Sequence, residues 1–185
     1  MKTLFAILGM AMLAACASTP SRTLLALSKF DLLTADYAQI GARIEHPSGV
    51  EIRPGDAMVI VRVAREDGER MEATLPLTAT VQAAASDPDR TVTDFTMAPT
   101  EIAQMEAFRA RAEAWEANGH EIHGSVTVSV KGCKSDTLPE GPLLASVQLK
   151  LTDETGYLPL RDGVDLRDLA KAHQGAAGVD SCSDS

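Results

Sequence analysis

Alternating apolar and polar residues dominate the chain and predict β-strands. In the clearest segment, from Ile122 to Lys131, apolar residues or glycine occupy the even positions and polar residues the odd ones. The segment from Leu143 to Leu151 repeats this pattern. Because successive side chains of a strand point to opposite faces, each segment predicts one buried face and one solvated face.

A β-hairpin is predicted between residues 57 and 77. Apolar residues alternate from Ala57 to Val63 and from Met71 to Leu77, on either side of Glu66-Asp67-Gly68-Glu69. An Asp-Gly pair between two such runs is a strong signal for a tight hairpin turn. Pro76 lacks a backbone N–H, which places the returning strand at the edge of its sheet.

Three weaker segments bring the predicted strands to about seven; they are Leu24 to Phe30, Ile40 to Ile44 and Arg90 to Met97. One long helix is predicted after Pro99, where apolar residues recur at three-to-four spacing up to Asn118-Gly119; they are Ile102, Met105, Phe108, Ala112 and Trp115. A short helix is predicted from Leu166 to about His173, with Asp165 as its N-cap.

These elements predict a mainly β fold, an antiparallel β-sandwich of immunoglobulin-like architecture with one inserted α-helix and a short C-terminal helix. A parallel sheet would need a crossover helix between most strand pairs, and the pattern offers one long helix. The alternative is an α+β sheet with the long helix on one face. The Cys…Trp…Cys spacing of true immunoglobulin domains is absent, so the prediction concerns architecture and not family.

Composition and charge narrow the function classes. The 185 residues are 45% hydrophobic and 23% charged, which is typical of one folded domain. A formal net charge of −9 repels nucleic-acid phosphates, so no nucleic-acid partner is expected. The sequence contains neither a Gly-x-Gly-x-x-Gly motif nor a P-loop, and it predicts no cofactor.

The first sixteen residues have the organisation of a secretory leader. Lys2 precedes the apolar run from Leu4 to Leu13, which is too short to cross a bilayer. The run ends in Leu13-Ala14-Ala15-Cys16, which resembles the lipobox of bacterial lipoproteins. The alternative is an ordinary secretory peptide cut near the same position.

The resemblance implies a signal peptide of residues 1–15, cleaved between Ala15 and Cys16. It also implies that the Cys16 thiol receives a diacylglycerol and that the freed amine is acylated, for example with palmitate. The residue after the lipidated cysteine is Ala17, whereas an Asp at this position would resemble an inner-membrane retention signal. The expected location is therefore the outer membrane, facing the periplasm. Residues 16–22 then form a lipidated tether, followed by a single globular domain of residues 23–175.

Cys133 and Cys182 are the two remaining cysteines. An envelope compartment is oxidising, so the sequence predicts a disulfide between them that ties down the tail, residues 176–185. Two unpaired thiols are the alternative. Two cysteines so far apart, without a nearby Cys-x-x-Cys, do not predict a metal site.

Histidines and serines give no candidate active site. His120 and His123 are three residues apart, which on a strand sends the imidazoles to opposite faces, so no metal is predicted there. His46 and His173 have no acidic or thiol neighbour at ligand spacing and are interpreted as surface residues. The sequence has no Gly-x-Ser-x-Gly elbow, and no catalytic residue is assigned.

An interaction surface is the remaining candidate site. The helix stripe of Met105, Phe108 and Trp115 belongs either to the core or to a groove for a hydrophobic partner. Tyr157 begins an apolar run that either covers a sheet edge or receives a partner strand. The sequence therefore predicts a non-enzymatic envelope lipoprotein, a binding or assembly module with the membrane and an envelope protein as partners. The alternatives are a lipid-anchored binder of a small apolar ligand and an envelope hydrolase.

Overall fold

A computed structural model gives the architecture of the chain. It describes residues 19–84, 87–135, 138, 140–174 and 181–182. The predicted signal peptide, the acylation site Cys16 and most of the predicted tail lie outside the described residues. The described ranges contain three α-helices and ten strands.

The helices are α1 (Ser21–Ser28), α2 (Pro99–Ala117) and α3 (Leu166–Gln174), and a 3-10 turn spans Tyr37–Gln39. The strands are β1 (Gly41–Pro47), β2 (Val50–Glu51), β3 (Ala57–Arg65), β4 (Arg70–Pro76), β5 (Thr78–Ala83), β6 (Arg90–Thr96), β7 (Ile122–Val130), β8 (Cys133–Lys134), β9 (Leu144–Lys150) and β10 (Tyr157–Asp165).

Two antiparallel sheets form the body of the fold. The larger has five strands in the order β10-β9-β1-β6-β5, and the smaller has three in the order β4-β3-β7. Strands β2 and β8 pair as a short ribbon. Leu77 alone separates β4 from β5, and its N–H donates to the Ala57 carbonyl at 2.9 Å. The predicted mainly β, antiparallel, sandwich-like architecture is confirmed.

The predicted hairpin between residues 57 and 77 is confirmed as β3 and β4. The register runs from Ala64 opposite Arg70 to Met58 opposite Pro76. Gly68 has a φ of 93° at the turn, a conformation that side-chain-bearing residues rarely adopt. Pro76 lies on an outer strand of its sheet, as its missing N–H requires.

Helix α2 covers the inner face of the three-stranded sheet, which we define as the face that carries Val61. It starts at Pro99, ends at Asn118-Gly119 as predicted, and contacts β4 and β7. The fully buried core at this contact consists of Tyr37, Val61, Val63, Met71, Leu75, Met105, Phe108 and Ala112. Burying a large apolar side chain contributes about 1.5 to 3 kcal/mol, so this layer holds the helix on the sheet.

The N-terminal segment corrects one predicted strand. Residues 24–30 were expected to alternate as a strand, but Ser21–Ser28 form α1, and Arg22 of the predicted tether lies within this helix. The buried Thr23 hydroxyl donates to the Pro159 carbonyl at 2.6 Å, which fixes α1 against β10. This contact joins residues 136 positions apart, so local periodicity contains no sign of it.

His46 is also a correction, because it is buried and not a surface residue. Its side chain is 2% exposed, and its Nε2 lies 2.9 Å from the Thr93 hydroxyl on the neighbouring strand β6. Its Nδ1 lies 3.0 Å from the Pro47 carbonyl. Burial lowers the pKa of His46 below its ordinary value, and the nearby Arg90 charge lowers it further.

Stability should therefore fall in mildly acidic solution. Below pH about 6.5 the unfolded chain protonates His46 while the folded chain does not, so the free energy of unfolding falls by up to about 1.4 kcal/mol per pH unit. The loss continues until the pH reaches the lowered folded pKa. Urea unfolding between pH 5 and 8 should show this slope, and His46→Gln should flatten it. His123→Gln is the control, because that side chain is 73% exposed, and an equal flattening there would contradict the assignment.

Candidate functional site

Strand β7 forms an outer edge of the three-stranded sheet. It pairs with β3 over nine consecutive residue pairs, and no described strand pairs with its other side. The Lys131 N–H donates to the Asp56 carbonyl at 2.8 Å, and the Glu121 carbonyl accepts from Glu66 at 3.2 Å. Bonded and non-bonded pairs alternate along an antiparallel ladder, so the odd-numbered residues of β7 bond to β3. The even-numbered residues direct their N–H and C=O groups toward the open edge.

Three valines of β7 are exposed on the inner face of the sheet, and we call Val126, Val128 and Val130 the valine row. They are 50%, 52% and 37% exposed, although Val61, which pairs with Val126, is 1% exposed. The predicted buried face of this strand is therefore wrong along the valine row. Alternation decides which side chains share a face, whereas α2 decides how much of that face is covered. The helix covers Ile122 at the start of β7, and the valine row lies further along the strand.

A groove of about 580 Å³ runs between the end of β7 and helix α3. Residues 127–132 of β7 and the turn after it line the groove, together with Leu166 and Leu169 of α3 and Val50 of β2. Leu169 is 41% exposed. The valine row and this groove share Val128 and Val130 and so form one surface. The periodicity of β7 alone does not reveal this surface, because part of the lining comes from α3.

A disulfide follows shortly after β7 in the chain. The Sγ atoms of Cys133 and Cys182 are 2.09 Å apart, which is the pairing predicted from the sequence. Cys133 follows β7 by three residues, and Cys182 lies beyond α3. Arg53 donates from Nη1 to the Cys182 carbonyl at 3.2 Å. The bridge therefore links the chain that leaves β7 to the chain that follows α3.

The helix residues considered as an interaction surface lie mainly in the core. Met105 and Phe108 are 2% and 6% exposed, so they do not offer the exposed surface that one interpretation of the sequence required. Helix α2 turns both side chains onto the sheet, beside Val61 and other core residues. Trp115 is partly buried, and the Arg65 guanidinium lies 5.5 Å from its ring centroid.

Tyr157 belongs to a polar cluster with Arg43 and Asp94 on one face of the five-stranded sheet. The Arg43 guanidinium lies 4.0 Å over the Tyr157 ring and donates to both carboxylate oxygens of Asp94, at 2.6 and 2.8 Å. The hydrogen bonds from Arg43 lower the pKa of Asp94, and burial raises the pKa of Tyr157. Tyr157 is therefore held by its neighbours across the sheet and does not extend the valine row.

Three side chains of the kinds that bind metals lie close together at one place in the described residues. Glu51 lies near Cys133 and Cys182, but the disulfide occupies both sulfurs, and a disulfide sulfur does not replace a thiolate ligand. His123 is exposed and lies 3.7 Å from the Glu121 carboxylate. Neither arrangement provides the three or four ligands that a metal centre needs.

Comparisons with known proteins supply no relative from which a role for this surface could be transferred. No family model matches the chain, and no curated protein and no solved structure matches it. Of the helices in the described ranges, none has both the length and the apolar character needed to cross a bilayer. The exposed edge of β7, with its valine row and groove, is the candidate functional site in the described part of the chain.

Proposed function

We propose that the chain is a non-enzymatic lipoprotein of the bacterial envelope that acts as a binding or assembly module. It is anchored through Cys16 to the outer membrane and faces the periplasm. One observation carries the binding role, the nine-residue edge strand β7 with its exposed valine row. The lipobox resemblance supports the anchor.

The edge of β7 lacks the features by which proteins prevent strand pairing. Such features are charged side chains, prolines and bulges. Strand β7 pairs with β3 without a register shift, and His123 is its one titratable residue. Strand β10, at an edge of the other sheet, contains Pro159 and two register shifts. A partner strand added to β7 would gain main-chain hydrogen bonds and apolar contacts with the valine row.

Helix α1 supports a position close to a membrane. Leu24 and Leu25 are 46% and 58% exposed, and Arg22 and Lys29 are the charged residues beside them. Apolar side chains next to basic ones suit the surface of an anionic bilayer. Ser21 is five residues beyond Cys16, a distance of at most about 18 Å in extended chain. An acylated Cys16 would therefore hold α1 near the lipid headgroups.

Crosslinking in intact cells tests the binding role. The lipid-anchored wild type should give a recurrent protein adduct, and Val128→Lys should lose it because a lysine ammonium in the valine row would have to be desolvated. Val81→Lys is the matched control, since Val81 is 63% exposed on β5 at the edge of the other sheet. Equal adducts from Val128→Lys and the wild type would contradict a binding role for β7.

A small apolar ligand is the second candidate partner. The groove beside α3 has a volume within the range of about 300 to 1,000 Å³ that small-molecule sites occupy. Crosslinking together with analysis of the purified protein separates the two functions. An apolar molecule that co-purifies with the wild type, and the absence of a protein adduct that depends on β7, would favour ligand binding.

A further inference from the structure

We infer that the partner of the β7 edge is a second copy of this chain. Two β7 strands pair antiparallel about a two-fold axis at Thr127, which joins two three-stranded sheets into one sheet of six strands. The inference rests on the proposed function, because it names the occupant of the binding edge. Two-fold pairing of identical surfaces is the commonest arrangement among homo-oligomers.

The sequence of β7 is self-complementary about Thr127. Ser125-Val126-Thr127-Val128-Ser129 reads the same in both directions. In an antiparallel pair centred on Thr127, Val126 stands beside Val128 of the second copy, and Ser125 stands beside Ser129 of the second copy. Valine thus meets valine on the inner face and hydroxyl meets hydroxyl on the outer face, which are favourable cross-strand neighbours.

The backbone has the correct phase for this register. The even-numbered residues of β7 direct their N–H and C=O groups toward the open edge, as shown by the bonds of Lys131 and Glu121 to the other side. Pairing about Thr127 sets Val126 opposite Val128 and Gly124 opposite Val130, so outward groups meet outward groups. Each of these pairs exchanges two hydrogen bonds. Thr127 lies opposite Thr127 of the second copy in a non-hydrogen-bonded pair, in which the two Cα atoms are closer together.

Charge also favours self-pairing at this edge. The chain has a formal net charge of −9, and two copies repel each other over most of their surfaces. No acidic residue lies between Ile122 and Gly132, so the repulsion is weak at β7. Strand β5 is also an uncharged edge, but it is shorter, has one exposed large apolar residue, Val81, and has no such symmetry. Anchoring on one membrane would raise the effective concentration of the two copies.

Cysteine crosslinking of the full-length, lipid-anchored protein in cells tests the register. Thr127 is exposed, so Thr127→Cys should leave the fold unchanged. In the proposed pair the two Cα atoms at position 127 are about 4.5 Å apart, within the range that a disulfide spans. We expect about tenfold more covalent dimer on a non-reducing gel than from Thr80→Cys, the matched control on β5, because pairing holds the two thiols together.

Two serine variants make the test specific for the antiparallel register. The two copies of residue 125 would lie about 13 Å apart along the strands, so Ser125→Cys alone should not crosslink to itself. Co-expression of Ser125→Cys with Ser129→Cys should restore the covalent dimer, because these positions face each other.

The outcomes separate the inference from the proposed function. If Thr127→Cys forms no more dimer than Thr80→Cys but crosslinks to a different envelope protein, the second copy is excluded and the binding role stands. If Thr127→Cys forms no adduct and Val128→Lys gives the same crosslinked proteins as the wild type, both the inference and the proposed binding role are refuted. Dimer from Ser125→Cys alone would overturn the register and, with it, the inference.

Discussion

Replacing Cys16 with alanine is expected to remove the protein from the membrane. The lipobox resemblance implies that the Cys16 thiol accepts the diacylglycerol, and alanine has no group to accept it. Each buried methylene contributes about 0.8 kcal/mol to membrane binding, so two or three acyl chains anchor stably where one does not. The Cys16→Ala product should be uncleaved or misprocessed and carry no acyl mass, and the product that has lost its leader should move from the detergent phase to the aqueous phase.

Mass spectrometry and phase partitioning of the two forms measure this change. The control is a Cys133→Ser/Cys182→Ser double variant, which loses the other two cysteines but keeps the lipobox, and which should retain the acyl mass. A wild type found in the aqueous phase without acyl mass would refute the anchor. The binding role of β7 would survive that result, because it depends on the edge strand and not on the lipid.

Periodicity predicted the elements whose signals are local. The Asp67-Gly68 turn fixed the β3–β4 hairpin, and the three-to-four spacing after Pro99 fixed α2 with its buried Met105 and Phe108. Strand β10 was missed because Pro159 and two register shifts interrupt its alternation. Strand β5 was missed because Thr-Ala-Thr-Val-Gln-Ala gives little contrast between its faces.

The candidate site was harder to predict because burial is a property of the whole fold. The alternation in β7 correctly groups Val126, Val128 and Val130 on one face, but the same pattern fits a covered and an uncovered strand. The coverage depends on where α2 ends and where α3 packs. His46 shows the converse, since its neighbour Thr93 is 47 residues away and the surrounding sequence gives no sign of burial.

Loss of the Cys133–Cys182 disulfide is expected to cause a large decrease in stability. The bridge joins residues 49 positions apart, and the chain-entropy model gives about 4 kcal/mol for a loop of that length. A typical domain is stable by about 5 to 15 kcal/mol, so this loss is a large fraction of the total. Urea unfolding should show the Cys133→Ser/Cys182→Ser variant destabilised by that amount, and the wild type under reductant should match it.

The bridge should matter for the site as well as for stability. It connects the chain leaving β7 to the chain following α3, and residues of β7 and α3 line the groove. Without it, α3 keeps its Asp165 N-cap, where Asp165 accepts from the Arg167 N–H at 2.9 Å, but loses the covalent restraint beyond its end. Hydrogen exchange in α3 should therefore rise more than in β3, whose strand pairs do not involve the bridge. Two reactive thiols in the native, unreduced wild type would contradict the premise of this prediction.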